Sequence, residues 1–260
     1  MIKVENHKEH YTDCFDNYPV FHLFIEYAFH HVDYVIYVDD LDNPQTVIMH
    51  VPPAYIFYGK TKENEMKSIQ SIVQIGSWII SPNQSWDVFI HTIFQDQIQV
   101  FPRLLFEGSQ LSLSHLKELC APLPPELKIV SIQKEHLQKG MIRDQIINKF
   151  FLDTDFLHHG FGLALVNDKG VVHGFALTNY PIEYYSHEIE VSYRVGYDDY
   201  PFYRHKGIGT TLVCQFIIEA LRRGFYPIWD AANDISSHIA RKLGYLDCYQ
   251  WSMYHIVNKD

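Results

Sequence analysis

The chain has 260 residues, of which 47% are hydrophobic and 20% are charged, so it is long enough to bury a full apolar core. Its formal net charge of −10 argues against nucleic acid as a partner, because phosphate backbones are bound by clusters of Lys and Arg. No apolar run reaches membrane-spanning length and the polar N-terminus lacks a secretory core, so we expect a cytoplasmic protein without membrane contact.

Neither the cysteines nor the histidines form a metal-binding pattern. The four cysteines are far apart, and no two of them have the spacing of a metal or redox site. The doublets His30–His31 and His158–His159 are without a second ligand pair at metal spacing. We therefore expect reduced cysteines and no bound metal.

The first half of the sequence mixes helical and strand patterns. Residues 24–40 pass from a possible helix into an alternating strand, and residues 46–60 contain two strand-like runs around a Pro-Pro turn. Residues 64–80 are typical of a helix followed by a strand or turn. This half is therefore predicted to be a smaller α/β domain, and it contains no motif that indicates chemistry.

The sharpest change in composition is the segment Cys120–Lys128, with the sequence CAPLPPELK. Three prolines within four residues cannot continue a helix or a central strand. We therefore predict a domain boundary here, which separates residues 1–124 from residues 125–260.

The second half has clearer elements. An alternating strand at residues 187–197 has Ile189 and Val191 on one face and Glu188 and Glu190 on the other. The other predicted elements are strands at 126–132, 161–166, 171–181 and 226–232, helices at 134–151 and 233–245, and a closing strand at 246–257.

The segment Arg204–Gly209, with the sequence RHKGIG, precedes a helix with a wide apolar face. A helix start has unpaired backbone N–H groups and a partial positive charge, and glycines let another group approach that backbone. Arg204 and Lys206 add positive charge at the mouth. The segment therefore predicts a phosphate site, whose backbone N–H groups come from Lys206, Gly207, Ile208, Gly209 and Thr210.

In this context the segment Arg204–Gly209 resembles the pyrophosphate loop of the GNAT-type N-acetyltransferases. Residues 233–245 resemble the next block of that superfamily. More narrowly, residues 126–255 resemble the zwittermicin A resistance acetyltransferase-like family, which has similar blocks in the same order. Those blocks are FLHHGFGLALV, EIEV, YRHKGIGTTLV, RRGFYPIWDAAN and SSHIARKLGY. The resemblance implies an α/β (α+β) fold with a mixed, mostly antiparallel GNAT-type sheet flanked by helices.

The resemblance also implies a reaction, in which acetyl-coenzyme A gives its acetyl group to a primary amine of a small molecule or peptide. A backbone N–H near Tyr197 would hold the thioester carbonyl, and Asn233 and Ser236 would bond the pantetheine arm. A carboxylate must remove the proton of the ammonium group, directly or through water. Glu190 is the first candidate for this base and Asp230 is the second.

One departure from the family pattern leaves an alternative open. Many GNAT enzymes have a Tyr four residues before the Gly of the last block, where it protonates the leaving thiolate, but this sequence has Ala240 there. The alternative is a non-catalytic coenzyme A-binding sensor or interaction module. Dinucleotide and P-loop motifs fit poorly, because the third Gly of one and the G-K-[ST] of the other are absent. Two roles are open for the first domain, which could shape the acceptor pocket or form a homodimer.

Overall fold

The computed structural model describes residues 1–6, 8–16, 18–138, 140–147, 153–180, 187–196 and 206–258. These residues divide into two compact units. Unit 1 comprises Met1–Leu105 and Tyr249–Asp260, and unit 2 comprises Phe106–Cys248.

Unit 1 has a sheet in which strands β1 to β5 follow one another in chain order. Neighbouring strands are antiparallel except β4 and β5, which are parallel. The elements are β1 (Ile2–Lys3), α1 (His22–His31), β2 (Val35–Val38), β3 (Thr46–Val51), β4 (Ala54–Gly59), α2 (Met66–Ile72), β5 (Trp78–Ile80), α3 (Gln84–Phe94) and β6 (Ile98–Glu107).

Unit 2 begins within β6 and has a sheet whose strands β7 to β11 again follow chain order. Neighbours are antiparallel except β10 and β11, which are parallel. The elements are α4 (Leu113–Glu118), β7 (Leu127–Ser131), α5 (Met141–Ile147), α6 (Asp153–His159), β8 (Gly162–Asn167), β9 (Val172–Thr178), β10 (Glu188–Val195), α7 (Ile208–Arg222), β11 (Tyr226–Ala231) and α8 (Asp234–Leu243). The chain then enters β12 (Leu246–Ile256), most of which belongs to unit 1.

The two halves of the chain repeat one order of elements, which the sequence analysis did not predict. Each has a strand, a helical segment, three antiparallel strands, a helix, a parallel strand, a second helix and a last strand. The second helix starts alike in both, because the extended residue Asn83 caps α3 and the extended residue Asn233 caps α8. Their side-chain oxygens accept from the backbone N–H three residues on, at 3.1 Å from Trp86 and 2.9 Å from Ser236.

The last strand of the chain returns to unit 1. Residues 253–255 of β12 pair antiparallel with β5, with Met253 opposite Ile80 and His255 opposite Trp78. Tyr254 and Ile256 are buried in the core of unit 1. Helix α3 contributes to the same core because its apolar residues have helical spacing. These are Trp86, Phe89, Ile90, Ile93 and Phe94.

The units differ from the predicted division into residues 1–124 and 125–260. The proline-rich segment lies inside unit 2, where it is bound to α7. The Ala121 N–H donates to Thr211 Oγ1 at 2.8 Å, and the Thr211 hydroxyl is 3.2 Å from the Ala121 carbonyl oxygen. The segment is thus tied to α7. The separate functions assigned to the two domains remain predictions.

Most predicted elements of the second half are confirmed. On β10, Ile189 and Val191 are buried while Glu188 and Glu190 are half-buried, as the alternation predicts. In the described part of the chain, no helix is both long and apolar enough to cross a membrane. The same residues contain no cluster of three or more His, Cys, Asp or Glu side chains that could hold a metal.

Candidate functional site

The parallel strands β10 and β11 are paired over only part of their length. Their register runs from Glu188 opposite Tyr226 to Glu190 opposite Ile228. Beyond this point β10 continues to Val195 and β11 to Ala231, outside the register that joins them. The N–H and C=O groups of an unpaired strand edge require partners, so the strand ends beyond this register are where an extended amide-containing ligand could bind.

The start of α7 has a glycine at its N-cap. Gly207 is the N-cap residue, with a left-handed φ of 74°, which glycine adopts without steric cost. No described side chain caps this helix, whereas Ser112 caps α4 and Asn233 caps α8. The first backbone N–H groups of a helix have no intrahelical partner, so those of residues 208–210 can bind an anion.

Packing holds this helix start in place. Ile208, Leu212 and Phe216 are all buried, and the Phe216 ring stacks on Phe161 with 5.1 Å between the ring centroids. The Thr211 N–H donates to the Gly207 carbonyl oxygen at 2.8 Å, so the helix is regular from its first turn. A cradle of this kind does not have to reorganise when an anion binds.

Glu190 is the last residue of β10 that pairs with β11, and its half-buried carboxylate is hydrogen-bonded. The Asn179 side-chain Nδ2 donates to Glu190 Oε1 at 2.6 Å, and the Asn179 backbone N–H donates to the Glu190 carbonyl oxygen at 2.8 Å. Asp230, the second candidate base, is half-buried on β11, two residues beyond the last paired position. The two candidate bases thus lie on the parallel strand pair, one on β10 and the other on β11.

The start of α8 is occupied by its own hydrogen bonds. Asn233 caps the helix, and the Ser236 hydroxyl accepts from the Trp229 indole N–H at 2.9 Å. Ala240, at the position of the usual proton donor, is completely buried. The hydroxyl of the nearby Tyr245 is buried without a hydrogen-bond partner among the described residues, and burial raises its pKa well above the ordinary value.

The structure therefore brings the predicted residues together in two groups. Gly207, Ile208, Gly209 and Thr210 lie at the start of α7 next to the exposed Lys206, while Asn233 and Ser236 lie at the start of α8. Tyr197 and Arg204 lie outside the described residues. The ligand contacts assigned to these positions remain predictions. Sequence reasoning missed Asn179, and no local pattern marks it, because its contact with Glu190 depends on the pairing of β9 with β10.

Comparison with known proteins identifies the class of protein to which this fold and site belong. A family model described as GNAT acetyltransferase matches residues 21–254, and the chain therefore belongs to the GNAT acetyltransferase family of N-acetyltransferases. The match covers much of the first half as well, and not only residues 126–255, where the sequence resemblance lies. Comparison with curated protein sequences gives no match.

Solved structures establish the same fold. A GCN5-related N-acetyltransferase-like protein from Streptococcus suis is 24% identical with a TM-score of 0.72, and the alignment covers 95% of this chain and 97% of that one. A tandem GNAT protein from the clavulanic acid biosynthesis pathway is 9% identical with a TM-score of 0.59, over 97% and 96% of the two chains. A GNAT-family acetyltransferase from Colwellia psychrerythraea is 11% identical with a TM-score of 0.56, over 99% of each. The predicted GNAT-type fold class is confirmed.

Proposed function

We propose that the chain transfers an acetyl group from acetyl-coenzyme A to a primary amine of a small molecule or peptide, and that unit 2 carries the site. The observation that carries this proposal is the start of α7, which has a left-handed glycine and no side-chain cap among the described residues. Family membership explains why such a start would be retained, since coenzyme A has a pyrophosphate group. A carboxylate side chain capping α7 would repel this group.

The cofactor would be bound by three sets of groups. The backbone N–H groups of residues 206–210 would bind the pyrophosphate, with charge from Lys206 and Arg204. The pantetheine amides would bond the strand edges of β10 and β11, and a backbone N–H near Tyr197 would hold the thioester carbonyl. Because the Asn233 side-chain oxygen caps α8, only the Asn233 amide nitrogen remains for the pantetheine arm. The Ser236 hydroxyl would have to bond the pantetheine arm while it accepts from the Trp229 indole N–H.

The reaction forms a C–N bond and breaks the C–S bond of the thioester. Glu190 takes a proton from the ammonium group, so that the neutral amine can attack the carbonyl carbon. The departing thiolate then requires a proton. We assign no side chain to that step, because Ala240 replaces the usual Tyr.

Finer assignments belong to the same proposal. The sequence blocks favour the zwittermicin A resistance acetyltransferase-like group within the family. From the sequence we also propose a cytoplasmic location and an amine substrate, with no nucleic acid or membrane partner. The first domain would shape the acceptor pocket or form a homodimer.

Calorimetry and a thiol-release assay test the proposal together. Gly209 is buried in the first turn of α7, so Gly209→Val should block the approach of the pyrophosphate and weaken acetyl-coenzyme A binding by about 100-fold, or ~2.7 kcal/mol. The matched control is Lys67→Val, at the corresponding second position of α2 in unit 1, which should change nothing. Equal affinities of wild type and Gly209→Val would exclude this phosphate site. Binding without thiol release for any amine in a panel would support the non-catalytic alternative, which Ala240 favours.

A further inference from the structure

Three polar side chains of unit 2 form a continuous line of hydrogen bonds that ends at Glu190. Gln145 Nε2 on α5 donates to Asn179 Oδ1 at 3.3 Å, and Asn179 Nδ2 donates to Glu190 Oε1 at 2.6 Å. Asn179 is only 2% exposed, while Gln145 and Glu190 are half-buried. A buried amide with both ends engaged is expensive to disrupt, because each lost partner leaves a desolvated polar atom.

The charge of Glu190 determines the direction of both amides. An ionised carboxylate can only accept hydrogen bonds, so the Asn179 atom that faces it must be the NH₂ group. The Asn179 oxygen therefore points to α5, where it requires a donor. Gln145 supplies that donor, and with the opposite amide orientation it would present an oxygen to an oxygen. The three groups thus have one consistent arrangement.

The backbone strengthens this arrangement. The Asn179 N–H donates to the Glu190 carbonyl oxygen at 2.8 Å, directly beyond the paired residues Thr178 and Val191. The residue that directly follows β9 therefore holds both the main chain and the side chain of Glu190. Oε1 accepts from Asn179, and Oε2 accepts from no residue that the structure describes, so Oε2 is the oxygen that would take a substrate proton.

We propose that Asn179 and Gln145 are positioning residues that hold the Glu190 carboxylate in one rotamer toward the acceptor amine. This inference rests on the proposed role of Glu190 as the base. Asn179 acts on Glu190 directly, and Gln145 acts through Asn179 by preventing its amide from rotating. Displacing a general base by about 1 Å can lower the reaction rate roughly 10²-fold. Holding Glu190 in place therefore accounts for a large part of the rate increase that the base provides.

Isosteric substitutions test the direction of the amides. Asn179→Asp replaces the donor with a second carboxylate facing Glu190 and should lower kcat about 10²-fold, with acetyl-coenzyme A affinity within about twofold of wild type. Gln145→Glu offers Asn179 a competing acceptor, which favours the rotated amide, and should lower kcat about 10-fold. Gln145→Met keeps the length without a charge and should lower kcat by no more than about threefold. Gln70→Glu adds the same charge at an exposed residue of α2 and should have no effect.

Side-chain amide NMR provides a readout that does not depend on turnover. The Asn179 NH₂ signals can be assigned by their absence in Asn179→Asp. The proton bonded to Glu190 should resonate downfield, and Glu190→Gln should move it upfield, because the charge-assisted bond is lost. Asn179 signals that are unchanged by Glu190→Gln would overturn the proposed bond.

The kinetic outcomes separate this inference from the proposed function. If Glu190→Gln loses turnover while Asn179→Asp keeps it, the positioning role is wrong and the proposed function stands. If Glu190→Gln itself keeps wild-type turnover, the assignment of Glu190 as base is wrong, and the positioning inference falls with it. An equal loss of kcat in Gln145→Met and Gln145→Glu would contradict the amide-rotation argument, because only the second provides a competing acceptor.

Discussion

The parallel strand pairs of the two halves, β4–β5 and β10–β11, each share a register of three residue pairs but are followed by different residues. In unit 1 the Tyr18 hydroxyl is 2.8 Å from the Phe57 carbonyl oxygen and 3.2 Å from that of Ile80, at the end of the register whose last pair is Ile56 and Ile80. The Trp86 indole N–H donates to the Gly59 carbonyl oxygen at 2.9 Å. Both side chains are buried, so unit 1 fills the end of its own strand pair.

Unit 2 has smaller or charged residues at the matching places. Ser236 occupies in α8 the position that Trp86 occupies in α3, three residues after the capping Asn. Glu190 is the last residue of β10 that pairs with β11. The last residue of β4 that pairs with β5 is the completely buried Ile56. Polar groups thus occur in the strand pair that we assign to substrates.

The segments that precede α2 in unit 1 and α7 in unit 2 also differ. In unit 1 a 3-10 segment at Glu63–Glu65 runs into α2, a helix of seven residues, and the Glu65 carboxylate pairs with the Met1 amino group at 3.4 Å. In unit 2 the exposed Lys206 and Gly207 precede α7, a helix of 15 residues. Carboxylates near a helix start disfavour the binding of an anion there, whereas a lysine and a glycine favour anion binding. One topology therefore supports two different local chemistries, and only local features predict which half binds a cofactor.

The largest expected effect is on turnover. Glu190→Gln should lower it about 10²–10⁴-fold, the usual contribution of a general base, and the loss should shrink at high pH because more of the amine is then neutral without help. Turnover with each amine of the panel, measured across pH, checks this. Ile56→Val at the matching position of unit 1 should leave turnover unchanged. If Asp230→Asn loses turnover and Glu190→Gln does not, the two carboxylates exchange roles.

The next prediction concerns stoichiometry. Because Tyr18 and Trp86 fill the strand pair of unit 1 and Glu63 and Glu65 precede its helix, that unit should not bind coenzyme A. Calorimetric titration of the full chain should therefore give about one equivalent, with a second site at least about 100-fold weaker. Two equivalents of similar affinity would contradict the contrast between the halves.

A smaller effect is expected on stability. Tyr18→Phe removes the hydroxyl that bonds two buried carbonyl oxygens, and should cost about 1–3 kcal/mol in the free energy of unfolding. Thermal unfolding should shift by roughly 2–4 °C per kcal/mol, with coenzyme A affinity unchanged. Tyr11→Phe is the matched control, since its hydroxyl bonds the Leu41 carbonyl oxygen at an exposed position. Equal shifts for both variants would show that the Tyr18 hydroxyl does not stabilise the buried strand ends.

The smallest effects come from the two helix caps. Asn83→Ala and Asn233→Ala should each cost about 0.5–2 kcal/mol, because each removes the side chain that caps a helix start. If the Asn233 amide also contacts the pantetheine arm, Asn233→Ala alone should weaken coenzyme A binding. Parallel melting and calorimetry on the pair would separate capping from ligand contact, and equal affinities would reduce Asn233 to a cap.

Local patterns predicted the second half well, because its strands alternate and its helices have clear ends. The alternation of residues 187–197 and the apolar face after Gly209 correspond to β10 and α7. Strand β6 was not predicted, since Pro102 interrupts a run that otherwise has strand character, and proline removes a ladder donor. Helix α3 was also missed, although Asn83 is a capping residue.

Relations between distant residues were beyond sequence reasoning. The repeat has no shared motif apart from the capping asparagines, because apolar side chains in unit 1 replace the polar ones of unit 2. Unit 1 also includes residues 249–260 from the end of the chain, a relation between distant segments that local patterns do not predict. The contact between Asn179 and Glu190 required the register of β9 and β10.

The path of β12 has a consequence for synthesis on the ribosome. Unit 1 needs Tyr254 and Ile256 in its core, and the Val257 N–H donates to the Gln97 carbonyl oxygen at 2.9 Å. About 150 residues separate Leu105 from Val257, so at about 5–20 residues per second the ribosome needs roughly 8–30 s to add them. During that interval β5 is a bare strand edge with Ile79 and Ile80, a template for pairing with other nascent chains. The half that is made first is therefore completed last.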